Sequence, residues 1–198
     1  KFNDILGRKI GAKLTNLYGP TEATVDVTWF DCPPDNDFDK IPIGRPIHNT
    51  RLHILKDGHA TPIGEPGELC LAGVGLARGY LNNPALTAEK FVDHPTQPGE
   101  RIYRTGDVAR WLEDGNVEYL GREDFQVKIR GLRIELGEIE NIIREFPGIA
   151  ECLVIVKQYS ENVILIVGYL VGKPGLEIES LKVHLKRRLP AHLVSSHC

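Results

Sequence analysis

An α+β fold is predicted by three features of this 198-residue sequence. Residues 13–121 are short apolar or alternating stretches cut by Gly, Pro and Asp turns, the pattern of many short strands. Residues 137–189 begin and end with helical spacing around two apolar strand-like runs, which makes a compact helix–strand–strand–helix unit. Between them runs Gly121-Arg-Glu-Asp-Phe-Gln-Val-Lys-Ile-Arg-Gly131. It reads as a turn, a half-buried strand with Val127 and Ile129 inward, and a stop, and so as a joint between two units.

Taken in order, residues 1–6 read as the tail of a helix. Residues 13–18 suit a short strand entering a turn at Gly19-Pro20, and residues 25–30 alternate again. Residues 31–40, with Pro33-Pro34 and four aspartates, suit a surface loop. From 41 to 121, apolar stretches at 51–55, 68–72 and 117–120 are separated by Asp57-Gly58, Glu65-Pro66-Gly67, Pro98-Gly99 and Asp114-Gly115. The last, between residues 108–112 and 116–120, is a strong hairpin signal. The region reads as a β-barrel or meander, interrupted by one helix over 84–92 with Pro84 in its first turn. Beyond the joint, Ile139, Ile142, Ile143 and Phe146 fall at helical spacing, and Pro147-Gly148 ends that helix. Strands are expected at 151–156 and 163–171, and a second amphipathic helix at 176–189, stopped by Pro190.

Bulk properties exclude several function classes. A net charge of -3 gives no general attraction to nucleic acid or an anionic membrane. The longest apolar run, 163–171, is interrupted by Gly168 and is half the length a bilayer needs. No signal-peptide pattern opens the chain. Cys32, Cys70, Cys152 and Cys198 form no CxxC pair or zinc spacing, which fits free thiols in a reducing cytoplasm. The sequence contains no Met and begins at Lys1, as a piece of a longer polypeptide would.

Two tempting patterns carry no chemistry. Gly73-Val-Gly75-Leu-Ala-Arg-Gly79 has GxGxxxG spacing and meets Asn82-Asn83-Pro84 where a dinucleotide fold needs a helix. Lys182 and Lys186-Arg187-Arg188 suit a solvated helix C-terminus. Asn16-Leu-Tyr-Gly-Pro-Thr-Glu22 is richer: an amide, an aromatic ring, a hydroxyl and a carboxylate surround one tight turn. Tyr103-Arg-Thr-Gly-Asp107 likewise ends in a carboxylate at an expected strand end.

Five stretches arrive in order: Asn16 to Glu22, Gly67-Glu-Leu-Cys-Leu-Ala-Gly73, Leu76-Ala-Arg-Gly-Tyr-Leu81, Tyr103 to Asp107, and Gly121 to Gly131 continued as Leu-Arg-Ile-Glu-Leu-Gly-Glu-Ile-Glu140. Over essentially the whole chain this resembles the adenylation domains of nonribosomal peptide synthetases, in the adenylate-forming (ANL) superfamily. The resemblance implies that residues 1–123 are the C-terminal, β-barrel-like part of the large N-domain. Residues 124–198 would be the small, mobile α+β C-terminal domain.

Such domains activate an amino acid with ATP and Mg²⁺, then pass the aminoacyl group to phosphopantetheine on a carrier protein, beside neighbouring synthetase domains. By motif position Tyr18 would stack on adenine and Asn16 would bond its exocyclic amine. Thr21 would contact the α-phosphate, and Glu22 would hold Mg²⁺, a hard cation that takes oxygen ligands. Asp107 would accept both ribose hydroxyls, Tyr119 would pack near the ribose, and Arg122 would lie near ribose and phosphates. Leu17, Val25 and Asp26 would line the side-chain pocket, where the Val-Asp pair goes with Gln or Glu. Asp124 matches the hinge between the adenylating and thioester-forming poses. Gly131 would line the pantetheine path.

The family's phosphate loop and the acid that pairs with the substrate amine would lie upstream of Lys1. The closing motif departs from the family pattern at His192 and Leu193, and the late catalytic lysine is absent from the chain. The expectation is that this piece does not adenylate alone. Two alternatives remain. An acyl- or aryl-CoA ligase of the same superfamily is disfavoured by Pro20 and Asp124. A truncated, non-catalytic carrier-docking module is favoured by the missing lysine.

Overall fold

A computed structural model describes residues 12–33, 38, 40–123, 126–129, 132–160, 163–190 and 193. By contacts the chain divides into two compact units, residues 1–123 and 124–198.

The first unit holds two antiparallel sheets. Strands β1 (Leu14–Tyr18), β2 (Thr28–Cys32) and β3 (Arg45–Pro46) form a three-stranded sheet in that order. Between β1 and β2 the chain makes a 3-10 turn at Thr21–Ala23. The larger sheet contains β4 (Thr50–Lys56), β5 (His59–Ala60), β6 (Gly67–Gly73), β7 (Phe91–Asp93), β8 (Arg101–Trp111) and β9 (Val117–Arg122). Its order is β5-β4-β6-β8-β7, with β9 also paired to β8. The pairing among the described residues is thus an open six-stranded sheet. A bridge from Gly44 to Val117 ties the run before β3 to β9.

Alternation along these strands sets the core. Leu52 and Ile54 of β4, Leu69 and Leu71 of β6, and Tyr103 and Ala109 of β8 pack with Tyr18, Val27, Ile43 and Val117. Their neighbours Leu55, Cys70, Ala72 and Ile102 form a second cluster, as the period of two requires. The expected helix over 84–92 is shorter: α1 is Pro84–Lys90, with the Asn83 side chain accepting from Leu86 N, and residues 91–93 join the sheet as β7. Phe91 is buried at that transition and anchors it. The Asp114-Gly115 hairpin forms as expected, with Gly115 at φ 80°.

The second unit has a short hairpin, β10 (Gln126–Ile129) with β11 (Leu132–Glu135), and a long one, β12 (Ile149–Ser160) with β13 (Val163–Gly172). Helices α2 (Leu136–Arg144) and α3 (Ile178–Arg188) complete it. Ile139, Ile142 and Ile143 of α2 and Leu181 and Leu185 of α3 meet Ile134 and Val154 in one core, with Val127 packed against it. The sequence pattern does not predict β11. Asp124 and Gly131, the residues assigned to the hinge and the pantetheine path, lie outside the described residues.

Candidate functional site

The polar core of the first unit is built around an interruption in β8. Glu68 pairs with Val108 and Cys70 with Arg104, so one residue of β6 faces three of β8. This bulge pushes Thr105, Gly106 and Asp107 out of register, with Gly106 left-handed at φ 72°. Side chains satisfy the displaced backbone. Gly106 N donates to Glu68 Oε1 (3.1 Å), and Asp107 N to Thr105 Oγ1 (2.9 Å). The Thr105 hydroxyl in turn donates to Leu69 O (2.6 Å).

Asp107, displaced in this way, is 4% exposed and still carries two strong partners. The Tyr18 hydroxyl donates to Oδ2. Arg122, its cross-strand partner on β9, donates to Oδ1 at 2.6 Å and to Thr105 O at 3.0 Å. Burial first, and then the Asp107 charge, push the Tyr18 phenol far above its ordinary range, so it stays a donor. The Tyr119 ring lies 6.3 Å from that of Tyr18, tilted by 38°. Tyr18, Asp107, Tyr119 and Arg122 are therefore brought together. Tyr18 is 8% exposed, and its hydroxyl holds the carboxylate. Arg122 likewise serves Asp107.

Asn16, on β1, donates its amide N–H to Pro42 O at 2.8 Å, which presents Oδ1 as an acceptor. Thr21 is exposed at the start of the 3-10 turn, while Glu22 next to it is 9% exposed. Glu22 Oε1 accepts from the Tyr80 hydroxyl at 2.8 Å. Tyr80 and Thr105 both fall inside the ordered motifs, yet nothing local in the sequence assigns them these partners.

Leu17, Val25 and Asp26 form a different kind of region. Leu17 is 52% exposed, Val25 is 66% exposed and Asp26 is half-buried, so these residues alone enclose no pocket. Thr24 and Val25 are consecutive β-branched residues at φ 63° and 71°, with Asp26 N bonded to Thr24 O at 3.0 Å. That is a strained reverse turn.

A cavity of about 670 Å³ lies on the opposite face of the large sheet, with Cys70 and Ile102 in its lining. Burial pushes the Cys70 thiol up to about 12, which leaves it inert. On the same face His53, His94 and Glu100 bring ligand-type atoms within 4.8 Å of one another. His94 Nδ1 accepts from the backbone N–H of Thr96 (3.2 Å) and Gln97 (3.1 Å). The ring proton is then on Nε2, where a metal would need a lone pair. His53 lies 3.0 Å from Glu100, and desolvation outweighs that charge and lowers the His53 pKa. Arg51 also pairs with Glu100.

Residues 1–81 match the family described as AMP-binding enzyme. The chain is 52% identical over 196 residues to a mycosubtilin synthase of Bacillus subtilis, matching 99% of this chain and 8% of that protein. It is 49% identical over 196 residues to zwittermicin A synthase ZmaJ of Bacillus cereus, at 98% and 37% coverage. Among solved structures it resembles PA1221, a nonribosomal peptide synthetase protein containing adenylation and PCP domains. The TM-score is 0.79 at 34% identity, over 96% of this chain and 38% of that one. The adenylation domain AlmE of Vibrio cholerae, solved with glycyl-adenosine-5'-phosphate, gives a TM-score of 0.84 at 29% identity, over 98% and 38%. The chain belongs to the adenylation domains of nonribosomal peptide synthetases and corresponds to the C-terminal part of such a domain. It spans well under half the length of the relatives named here. No helix among the described residues is long and apolar enough to cross a membrane.

Proposed function

We infer that the chain is part of a domain that joins an amino acid to ATP as an aminoacyl-adenylate and then loads it as a thioester on a carrier protein. The observation that carries this reading is the buried Asp107, held by Tyr18 and Arg122 within one turn-and-bulge cluster. Each carboxylate oxygen can accept two hydrogen bonds, so Asp107 retains capacity for a ribose diol. Its two donors fix the carboxylate in advance, which lowers the ordering cost of binding. Asn16 Oδ1 is the acceptor that an adenine amine requires.

In adenylation, a carboxylate oxygen of the amino acid attacks the α-phosphorus, the α–β P–O bond breaks, and pyrophosphate leaves with the bonding pair. Thr21, exposed at the turn, would donate to the α-phosphate. The Glu22 carboxylate fits a hard cation, and Mg²⁺ there would neutralise phosphate charge as pyrophosphate departs. Leu17, Val25 and Asp26 would contact the amino-acid side chain as one wall of a larger pocket, with Gln or Glu the favoured substrates. In the second half-reaction a phosphopantetheine thiolate attacks the acyl carbon and AMP leaves. The residue 123/124 division between units supports a pivot at Asp124, with Gly131 on the thiol path.

Amino-acid-dependent ATP–pyrophosphate exchange by the complete domain tests this, read against a panel of fatty and aryl acids. Exchange with an amino acid, reduced at least about a hundredfold by Asp107→Ala, is expected because the binding loss and the loss of the carboxylate facing Arg122 act together. Exchange only with acyl or aryl acids would assign the chain to the CoA-ligase branch. Carrier-protein binding without nucleotide binding would make it a docking module. Full exchange by the isolated 198-residue chain would overturn the assignment of part of the chemistry to other segments.

A further inference from the structure

Glu22 is nearly buried on a three-residue turn, and a carboxylate so placed needs donors to fix its rotamer. One donor arrives from far along the chain, in the irregular stretch 74–83. Several bonds fasten that stretch to the turn. Ala77 N donates to Glu22 O (2.8 Å), and the Thr24 hydroxyl donates to Gly75 O (2.6 Å). The Arg101 guanidinium lies 4.6 Å from the centre of the Phe91 ring and donates to Ala77 O (3.0 Å) and Arg78 O (2.9 Å). Tyr80 N donates to Thr87 Oγ1 (2.9 Å). The Tyr80 ring meets Phe91 edge-on at 5.7 Å, and its hydroxyl donates to Glu22 Oε1 (2.8 Å).

We propose that Tyr80 is the positioning residue for Glu22, occupying one carboxylate oxygen so that the carboxylate is held in one orientation toward a divalent cation. The proposal rests on the cation role given to Glu22 above. The remote loop would then act on metal affinity without touching nucleotide or metal.

Tyr80→Phe in the complete domain removes the hydroxyl and keeps the ring against Phe91. The Mg²⁺ concentration for half-maximal ATP–pyrophosphate exchange should rise about tenfold, the size expected for a lost hydrogen bond to a charged group. The KM for the amino acid should change by less than about twofold, since that site gains or loses no contact. Glu22→Gln separates the cation role from the positioning role. If it leaves the Mg²⁺ dependence unchanged, the cation role of Glu22 falls. If it changes that dependence while Tyr80→Phe does not, the positioning role falls. A uniform loss of rate at every Mg²⁺ concentration in the folded Tyr80→Phe enzyme would also overturn it.

Discussion

Asp107 and Val25 lie in the same unit, yet their surroundings are opposites. Asp107 is 4% exposed, and the backbone groups displaced by its bulge find partners inside the chain. Val25 is 66% exposed and sits in a strained turn whose side chains have little to pack against. The residues proposed to hold the nucleotide are thus fixed by this chain itself. Those proposed to read the amino acid are displayed by it. A shared cofactor calls for a constant geometry, whereas an open, displayed turn allows its side chains to vary without disturbing the core.

The sharpest way to break this contrast is Asp107→Ala. It leaves Arg122, whose side chain is 10% exposed, as a nearly buried cation without this carboxylate, and it takes the same acceptor from the Tyr18 hydroxyl. Breaking one side of such a pair costs about 3–5 kcal/mol. Trp29 and Trp111 are the only tryptophans and both lie in residues 1–123, so urea unfolding followed by their fluorescence reports this unit. A loss below about 1 kcal/mol would place Asp107 among solvated carboxylates and remove the distinction.

Gly19→Ala probes the boundary between the two regions. A Cβ on Gly19 would stand 2.0 Å from Val25 O, a backbone atom with no flexible end to yield. The strained turn is therefore pressed against the end of β1, and a hydrogen bond from Val27 N to Tyr18 O (2.8 Å) holds it there. The substitution should cost about 1–3 kcal/mol by overpacking, less than Asp107→Ala, by the same fluorescence measurement. No loss would show that the turn moves aside freely.

How much of this was legible in the sequence follows from the range of the forces. The hairpin at Asp114-Gly115 and helices α2 and α3 depend on local turn chemistry and period, and they appear where expected. The strand β11 does not, because it runs straight into α2 and becomes a strand only by pairing with β10. Residues 91–93 carry a helix-compatible pattern, and only pairing with β8 makes them a strand. The motifs named Tyr18, Asp107 and Arg122 but could not join them. The three-against-one bulge that aims Asp107 depends on register between β6 and β8, which no local pattern encodes. Tyr80 escaped for the same reason: it reaches Glu22 across 58 positions of sequence.

The smallest effect tests whether strain really resides in the displayed turn. At φ 71°, Val25 carries a β-branched side chain where L-residues lose roughly 1–2 kcal/mol. Glycine removes that penalty but adds about 0.5–1 kcal/mol of chain entropy to lose on folding. The side chain is mostly exposed, so little packing is forfeited. Val25→Gly should therefore stabilise the unit slightly, by up to about 1 kcal/mol, or a rise in Tm of roughly 2–4 °C at most for a chain of this length. Val25→Ala keeps a Cβ in the same conformation and should give no such gain. Equal responses from the two variants would mean that the turn relaxes at no cost, and that its conformation is chosen by what it contacts and not held under strain.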